Sequence, residues 1–449
     1  MGPVSSSTAS SGGGTELRRS LGPLTLWGLG VGYVISGMYF GWNLGLPAGG
    51  THGLLAATAL VTVLYVCFVL AYAELACAVP RAGGAFVYAE RAFGPTAGFV
   101  AGLAQCVEFV FAPPAIAAAI GAYLSLFVPA LHPLAAGAAA YLLFTAINVH
   151  GVKLSARFEL TVTALAVLEL LVFAGLTLPR FDAAAFGAEA LPHGWWGVMP
   201  ALPFAIWFYL GIEGVANVAE EAEDPQRDVP RGFGSAMATL VALAATTFLG
   251  AVGVAGWRHV VYPAGSSEPS DSPLPLALRA VVGAEHPMYH LLVVIGLFGL
   301  VASFHGLVLV AGRATFEMGR MGYLPRRLGR VLSSRRTPAA ALLANMAVGL
   351  IALSSGRTGE IIVIAVFGAL TMYAVSMGAF FRLRRKEPLL ARPFRTPLVP
   401  LVPAVALVLS LGCLAALFWS NHVLGLVYLG VLAAGVAWFR VVVRPGLAR

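Results

Sequence analysis

The sequence predicts an all-α integral membrane protein with about twelve transmembrane helices. Hydrophobic residues make up 59% of the 449 residues and charged residues only 11%, with a mean hydropathy of +0.85. Soluble domains carry roughly a quarter charged residues, so this chain lacks the polar surface to cover itself in water. The charges are also bunched, which leaves long apolar runs between them. These runs do not alternate apolar and polar residues, as the strands of a membrane barrel do.

The spacing of the charges assigns the individual spans, since a spanning helix needs about 20 apolar residues. The charge-free stretches 20–73, 109–152 and 396–439 are each long enough for two spans joined by a turn. One span each falls in the stretches 190–212, 232–257, 286–312, 337–356 and 361–381. A further span follows Lys153 and is interrupted by Glu159 and Glu169, which brings the number to twelve.

The formal net charge of +8 is a topology signal and does not indicate a nucleic-acid partner. If both termini are cytoplasmic, the inner loops and tails hold all but four of the 28 Lys and Arg residues. The exceptions are Arg180, Arg258, Arg279 and Arg357. Cytoplasmic loops of membrane proteins carry this excess of basic residues. We therefore expect a multi-pass protein of the cell inner (plasma) membrane, in contact with the lipid bilayer, with cytoplasmic N- and C-termini.

Two of the predicted spans have the composition of interrupted helices. The first contains six Gly and Ser residues between Gly28 and Gly41, and the sixth has Pro200 and Pro203 before the run Trp207–Gly214. Glycine-rich interruptions at corresponding places indicate an inverted repeat whose unwound segments face each other near the midplane. The alternative is that the glycines only allow close helix packing.

The inverted repeat also divides the chain. We expect a disordered cytoplasmic tail at 1–19, because this stretch is rich in Ser and Gly. The first five-helix repeat then covers 20–180 and the second covers 190–386. The last two spans and the C-terminal tail cover 387–449. The stretch from Trp257 to Pro287 is the longest outer segment and is predicted to be a loop with at most a short surface helix.

Four stretches of the sequence resemble the amino acid–polyamine–organocation transporter superfamily. They are Tyr72–Tyr88, Ala219–Gly232, Arg313–Pro325 and Phe394–Pro397. Two further stretches, Val34–Asn43 and Gln105–Pro114, are most similar to the ethanolamine permeases of that superfamily. The resemblance implies a five-plus-five inverted repeat with broken helices 1 and 6, and import of a small cationic amine by proton symport, with sodium coupling left open.

One departure from the family bears on the substrate. Amino acid permeases of the superfamily usually have Gly-Ser-Gly in the first break, whose N–H groups hold the substrate carboxylate. Here the triplet is Ile35-Ser36-Gly37, and the bulky Ile35 narrows such an anion nest. This favours an amine without a carboxylate. An amino acid permease or exchanger remains the alternative, and an amine-binding channel or transporter-like receptor is a second one.

The resemblance and the intramembrane polar residues together give a candidate site. The residues expected to bind substrate are Ile35, Ser36, Gly37, Met38, Gln105, Glu108, Trp207, Phe208, Tyr209, Gly211 and Ser303. Ionisable groups inside the membrane are costly, so each is a functional candidate. We expect Glu108 to face the substrate ammonium, and Glu169 or Glu213 to carry the coupling proton. The alternative for each carboxyl is a structural bond to another helix.

The remaining intramembrane polar and aromatic residues are predicted to be structural. We expect Glu74 to bond loop N–H groups or Arg81, Glu159 to pair with Arg157 or another loop cation, and His305 to be a satisfied buried histidine. Trp27, Trp42, Trp195, Trp196 and Trp419 are predicted interface anchors. The sequence contains no metal-spaced cluster, nucleotide-binding loop or catalytic constellation, so we expect no metal, no cofactor and no enzyme activity. It leaves a homodimer open.

Overall fold

The computed structural model describes residues 21–81, 83–151, 156–332 and 337–447. Within these ranges the chain is almost entirely helical, and β pairing is limited to the isolated bridges Leu21–Ala222 and Leu332–Thr337. The predicted tail at 1–19 lies outside the described residues.

Eighteen α-helices follow one another along the described chain. They are α1 (Pro23–Val34), α2 (Ser36–Tyr39), α3 (Leu46–Ala78), α4 (Ala85–Phe93), α5 (Pro95–Phe127), α6 (Pro133–His150), α7 (Ala156–Thr177), α8 (Ala183–Gly187), α9 (Val198–Trp207), α10 (Pro225–Ala255), α11 (Trp257–Val261), α12 (Pro273–Val282), α13 (Pro287–Arg320), α14 (Ala339–Ser354), α15 (Thr358–Lys386), α16 (Leu401–Ser420), α17 (His422–Trp438) and α18 (Arg444–Leu447).

The number of predicted spans agrees with these helices. Ten helical segments of the described chain are long and apolar enough to cross a membrane. The 16-residue α14 and the interrupted first span, which begins with α1, complete the twelve. The predicted fold class, an all-α membrane protein with broken first and sixth spans, is confirmed.

The first span breaks at Phe40 and Gly41. Ile35 has helical dihedral angles and joins α1 to the four-residue α2, and the chain then becomes extended at Phe40 before Gly41, whose φ of +90° favours glycine. A 3₁₀ helix, Trp42–Gly45, then leads into α3. The turn between the first and second spans lies at Gly50, where φ is +62°.

The sixth span breaks in the same manner. Helix α9 ends at Trp207, and Gly211 adopts the left-handed conformation, with a φ of +97°. It continues as a 3₁₀ helix, Ile212–Glu221. Runs of 3₁₀ helix longer than three or four residues are uncommon, and such stretches often mark functional hinges.

The two breaks are in direct contact, as the inverted-repeat interpretation requires. A Cβ atom added at Gly37 would lie 2.4 Å from the carbonyl oxygen of Trp207 and 3.2 Å from the Cα of Phe208. The backbone of the first break can approach the sixth only because residue 37 has no side chain.

The bundle has two ends, which we name the α4 end and the α12 end after the short helices that lie there. The outer segment predicted as a loop contains two short helices, α11 and α12. At the α4 end, the helix α4 itself was not predicted from the sequence. Its 9 residues form an amphipathic helix between the second and third spans.

Glu74 joins three elements at the α4 end. Arg384 donates to both of its carboxyl oxygens at 2.9 and 2.7 Å, and Arg392 lies 3.4 Å from Oε1. The backbone N–H of Thr396 donates to Oε2 at 2.8 Å. The predicted bond to a loop N–H is thus present. The alternative prediction, an ion pair with Arg81, was wrong, because the two guanidinium groups that reach this carboxyl come from α15 and from the loop that follows it.

Candidate functional site

Two groups of polar residues lie around the breaks, and each combines predicted site residues with residues that were not predicted. The first, which we call the carboxyl cluster, consists of Glu108, Glu213, Tyr65 and Tyr373, on α5, the Ile212–Glu221 helix, α3 and α15. The second, the serine cluster, consists of Ser36, Ser303 and the carbonyl of Tyr33, on α2, α13 and α1. Glu169 belongs to neither group.

Glu108 and Glu213 are direct neighbours in the carboxyl cluster. They are 0% and 1% exposed. The backbone of Glu108 packs against Gly368 of α15, where an added Cβ would lie 2.7 Å from the Glu108 nitrogen. The absence of a side chain at residue 368 therefore lets α5 and α15 close around the carboxyl pair.

Most of the hydrogen-bonding capacity of this pair is unused. Tyr373 donates a 2.9 Å hydrogen bond to Oε2 of Glu213. Oε1 of Glu213 and both carboxyl oxygens of Glu108 have no partner among the described residues. Buried polar atoms are nearly always satisfied, and an exception calls for an unseen water, ion or proton.

Tyrosines surround the pair. The hydroxyl groups of Tyr65 and Tyr373 lie 3.0 Å apart, and the ring centroids of Tyr65 and Tyr209 lie 5.2 Å apart. The hydroxyl of Tyr209 lies 2.8 Å from that of Thr62. Sequence reasoning identified Tyr209 but missed Tyr65 and Tyr373. The signal was weak, because tyrosine within an apolar span is also typical of packing.

Gln105 also contacts the sixth break. Its Nε2 donates at 3.4 Å to Oδ1 of Asn217. Gln105 Oε1 and Asn217 Nδ2 have no partner among the described residues. Asn217, on the 3₁₀ helix, was not recognised from the sequence.

In the serine cluster, Ser36 and Ser303 are in direct contact. Oγ of Ser303 lies 2.8 Å from the carbonyl oxygen of Tyr33 and 2.8 Å from Oγ of Ser36. Gly211 is close by, since an added Cβ there would lie 3.8 Å from the same carbonyl. These contacts link α13 to both breaks.

Aromatic side chains cover the breaks toward the α12 end. Trp207 packs against Gly41 and makes an edge contact with Phe40 at 5.4 Å between centroids. Phe208 stacks on Trp42 at 5.7 Å. The prediction that Trp42 anchors the membrane interface was wrong: it is 0% exposed, and its Nε1 donates to the Met38 carbonyl at 3.0 Å.

Ile35, Met38 and the carboxyl pair are all buried, and Trp207 is 3% exposed. The site is therefore closed from both ends of the bundle. Two backbone hydrogen bonds of 3.0 Å, between Leu21 and residues Glu221 and Glu223, hold the start of α1 against the end of the sixth span.

Glu169 lies in α7, 4% exposed, against the first break. The hydroxyl of Tyr39 donates to its Oε2 at 2.7 Å. Glu169 and Tyr39 line a small cavity beneath α12, together with Tyr123 and apolar residues of α12 and α13. Glu169 is thus separate from the carboxyl cluster.

Glu159 and His305 form a contact that was not predicted. Nδ1 of His305 lies 3.7 Å from Oε1 of Glu159. The expectation that His305 is fully satisfied was wrong, because its Nε2 is buried and has no partner among the described residues. The predicted alternative partner, the side chain of Arg157, lies outside the described residues.

A hydrogen-bonded loop covers the α12 end next to the first break. Asn43 donates to the carbonyl of Ser270 at 2.8 Å, and the hydroxyl of Thr358 donates to Asp271 at 2.9 Å. Burial raises the pKa of Asp271 to about 6, and the Thr358 hydrogen bond opposes this effect only in part.

The described residues contain no group of three or more His, Cys, Asp or Glu side chains that could hold a metal ion. What they bring together is a polar interior at two broken helices, which is the arrangement that transporters use to bind substrates and ions.

Comparison with known proteins agrees with this geometry. A family model described as amino acid permease matches residues 21–439. An uncharacterized transporter of Rhizobium meliloti (strain 1021) is 29% identical over 415 residues, covering 90% of this chain and 87% of its own length. The branched-chain amino acid permease of Bacillus subtilis (strain 168) is 24% identical, with coverages of 94% and 93%. The low-affinity putrescine importer of Escherichia coli (strain K12) is 26% identical, with coverages of 93% and 92%. The chain is therefore a multi-pass membrane transporter that belongs to the amino acid permease family.

Proposed function

We propose that this permease is a secondary transporter that imports ethanolamine or a similar small organic amine by alternating access, coupled to protons. The observation that supports an amine most directly is the pair of adjacent buried carboxyls, Glu108 and Glu213, three of whose oxygens have no hydrogen-bond partner in the part of the chain that the structure describes. An ammonium group carries N–H donors and a positive charge, and both would compensate this pair.

The aromatic neighbours favour the same substrate class. The rings of Tyr65, Tyr209 and Tyr373 are near the pair, and a ring face attracts a cation within about 6 Å. A small amine would therefore meet carboxyl oxygens and aromatic surface in one place.

The first break disfavours a substrate carboxylate. Ile35 is helical and 0% exposed, so its side chain fills space where family members usually have glycine. The carboxyl pair would in addition repel a carboxylate placed beside it. The relatives include both an amino acid permease and a putrescine importer, so their names do not decide between these substrates.

We assign proton coupling to Glu213 in the carboxyl cluster and to Glu169 beside Tyr39. By the distribution of basic residues we orient the α4 end toward the cytoplasm, with both termini inside and the protein in the inner (plasma) membrane.

Competition for labelled ethanolamine uptake in proteoliposomes tests the substrate class. We expect ethanolamine and related amines without a carboxylate to compete, and alanine, leucine and arginine not to compete. Uptake of labelled alanine or leucine without uptake of labelled ethanolamine would instead establish an amino acid permease. Ethanolamine binding without concentrative uptake in sealed vesicles would indicate a receptor or channel.

The Glu108→Gln variant tests the site. It removes a charged partner of the ammonium, so we expect ethanolamine affinity to fall about tenfold to a hundredfold. Glu285→Gln, an exposed acid on the α12 end, is the matched control and should bind as the wild type does. Unchanged affinity in Glu108→Gln would remove Glu108 from the binding site.

A further inference from the structure

The described residues provide no basic side chain to balance a negative charge on the carboxyl pair. No ion pair joins Glu108 or Glu213 to a basic side chain among the described residues. The ionisable groups that face the pair from the neighbouring helices are all tyrosines, which are neutral at physiological pH. They are Tyr65 and Tyr72 on α3, Tyr373 on α15 and Tyr428 on α17.

The pair is also cut off from water. Both carboxyls are fully buried in this closed arrangement, and an ionised carboxylate without water or a counter-charge is strongly unfavourable in a protein interior. An alternating-access protein must pass through a closed arrangement in each half of its cycle. The charge of the pair must therefore be compensated whenever the site is closed, with or without substrate.

A proton is the simplest compensation in the absence of substrate. Two adjacent ionised carboxyls are both acceptors, so neither can satisfy the other. A proton on one of them supplies the missing donor and removes one of two like charges. Such protons would bind to, or form hydrogen bonds with, the three oxygens of Glu108 and Glu213 that have no partner among the described residues.

We infer that the Glu108–Glu213 pair is a single site for two monovalent cations, in which one substrate ammonium replaces one proton while the second proton stays. This inference rests on the proposed function. In the empty closed form the pair is neutral with two protons. In the loaded form it is neutral with one proton and one ammonium, and the displaced proton leaves to the water on the side from which the amine entered.

The consequence is that the protein exchanges the ammonium for a proton and does not carry the two in the same direction. The ammonium crosses in one direction and a proton returns in the other, so no net charge moves in a complete cycle. The net movement is that of the uncharged base. Uptake is then driven by the amine gradient or by a more acidic interior, whereas symport of an ammonium and a proton would be driven by a more acidic exterior and by an inside-negative potential.

Initial rates of labelled ethanolamine uptake into proteoliposomes under imposed gradients distinguish the two mechanisms by sign. We expect an interior one pH unit more acidic than the exterior to accelerate uptake and to support about tenfold accumulation, the equilibrium value for one-to-one exchange. We expect an inside-negative potassium potential set with valinomycin to change the rate less than twofold.

Two controls correct for passive entry of the free base, which an acidic interior also traps. They are protein-free liposomes and liposomes with the double variant Glu108→Gln/Glu213→Gln, which lacks the exchangeable positions. The single variant Glu285→Gln changes an exposed acid on the α12 end, outside the pair, and should preserve the response to an acidic interior.

Each outcome decides between the alternatives. Acceleration by an acidic exterior and by an inside-negative potential would overturn exchange in favour of symport. Uptake whose rate depends on neither the pH gradient nor the membrane potential would overturn proton exchange but leave the proposed amine permease function intact. An absence of ethanolamine uptake under every gradient would overturn the proposed function itself. Because the wild type alone gives these results, misfolding of a variant does not affect the decision.

Discussion

The hydroxyl of Tyr39 donates a 2.7 Å hydrogen bond to Oε2 of Glu169. Tyr39 ends the four-residue helix of the first break, and Glu169 lies in α7. The contact therefore joins the first break to a buried carboxyl outside the carboxyl cluster.

Tyr39→Phe removes this donor and leaves a buried carboxyl oxygen unpaired. We expect a loss of about 1–3 kcal/mol in the free energy of unfolding, together with slower uptake. Thermal unfolding in detergent and proteoliposome uptake measure the two effects. Tyr123→Phe is the control, because it removes only a 3.3 Å bond to the Tyr39 carbonyl. Equal effects of the two variants would show that the Tyr39–Glu169 hydrogen bond contributes no more to stability and uptake than the Tyr123 bond does.

Gly37→Ala tests the contact between the breaks. The added Cβ would lie 2.4 Å from the Trp207 carbonyl oxygen, so the two backbones must separate. Overpacking of this kind costs about 1–3 kcal/mol, and we expect uptake to fall to background. Gly412→Ala in α16 adds the same methyl group where nothing lies within 4 Å and should transport normally. Normal uptake by Gly37→Ala would contradict the proposed role of the close approach.

Glu74→Ala should be strongly destabilising. It leaves Arg384 and Arg392 without the carboxylate that joins them at the α4 end, and breaking a buried ion pair costs about 3–5 kcal/mol. Glu387→Ala removes a solvent-exposed partner of Arg91 and should cost at most about 1 kcal/mol. Thermal unfolding of the two variants gives the comparison, and similar melting temperatures would refute the structural role of Glu74.

The pH dependence of stability tests Asp271. Burial raises the pKa of this carboxyl to about 6, above its value in an unfolded chain, so the folded protein holds the proton more tightly. The contribution to stability is then largest below about pH 4 and is lost as the pH rises through about 6, by up to about 3 kcal/mol.

Asp271→Asn cannot ionise and still offers an oxygen to Thr358. We expect this variant to be more stable than the wild type at pH 8 and to lose the decline in melting temperature between pH 4 and pH 7. Glu268→Gln, an exposed acid of the same loop, should retain that decline. An unchanged pH profile in Asp271→Asn would exclude Asp271 as its source.

Local composition was sufficient to locate both breaks. Glycine adopts positive φ at no steric cost, so the interruptions at Gly41 and Gly211 agree with residue type, whereas Pro200 and Pro203 lie inside the continuous helix α9. Ser36 and Ser303 were each named as site candidates from the sequence, but their mutual hydrogen bond was not predicted.

The predictions failed where burial depends on neighbours that are distant in the sequence. Tryptophan near the end of an apolar run is typical of an interface anchor, which is why Trp42 was assigned that role. In the structure it packs against Phe208 and Phe248 from other spans. His305 and Glu159 were treated separately because nothing in either local sequence indicates the other. Glu108 and Glu213 were assigned different roles for the same reason.

The sequence by itself determined that the chain lies in a membrane, how many times it crosses, and where its helices break, because these properties depend on the hydropathy and backbone preferences of consecutive residues. The tertiary structure decided which polar groups meet. Glu108 lies beside Glu213, and Tyr39 beside Glu169, because helix packing brings distant spans within hydrogen-bonding distance, and the energy of a buried charge depends on the atoms that surround it.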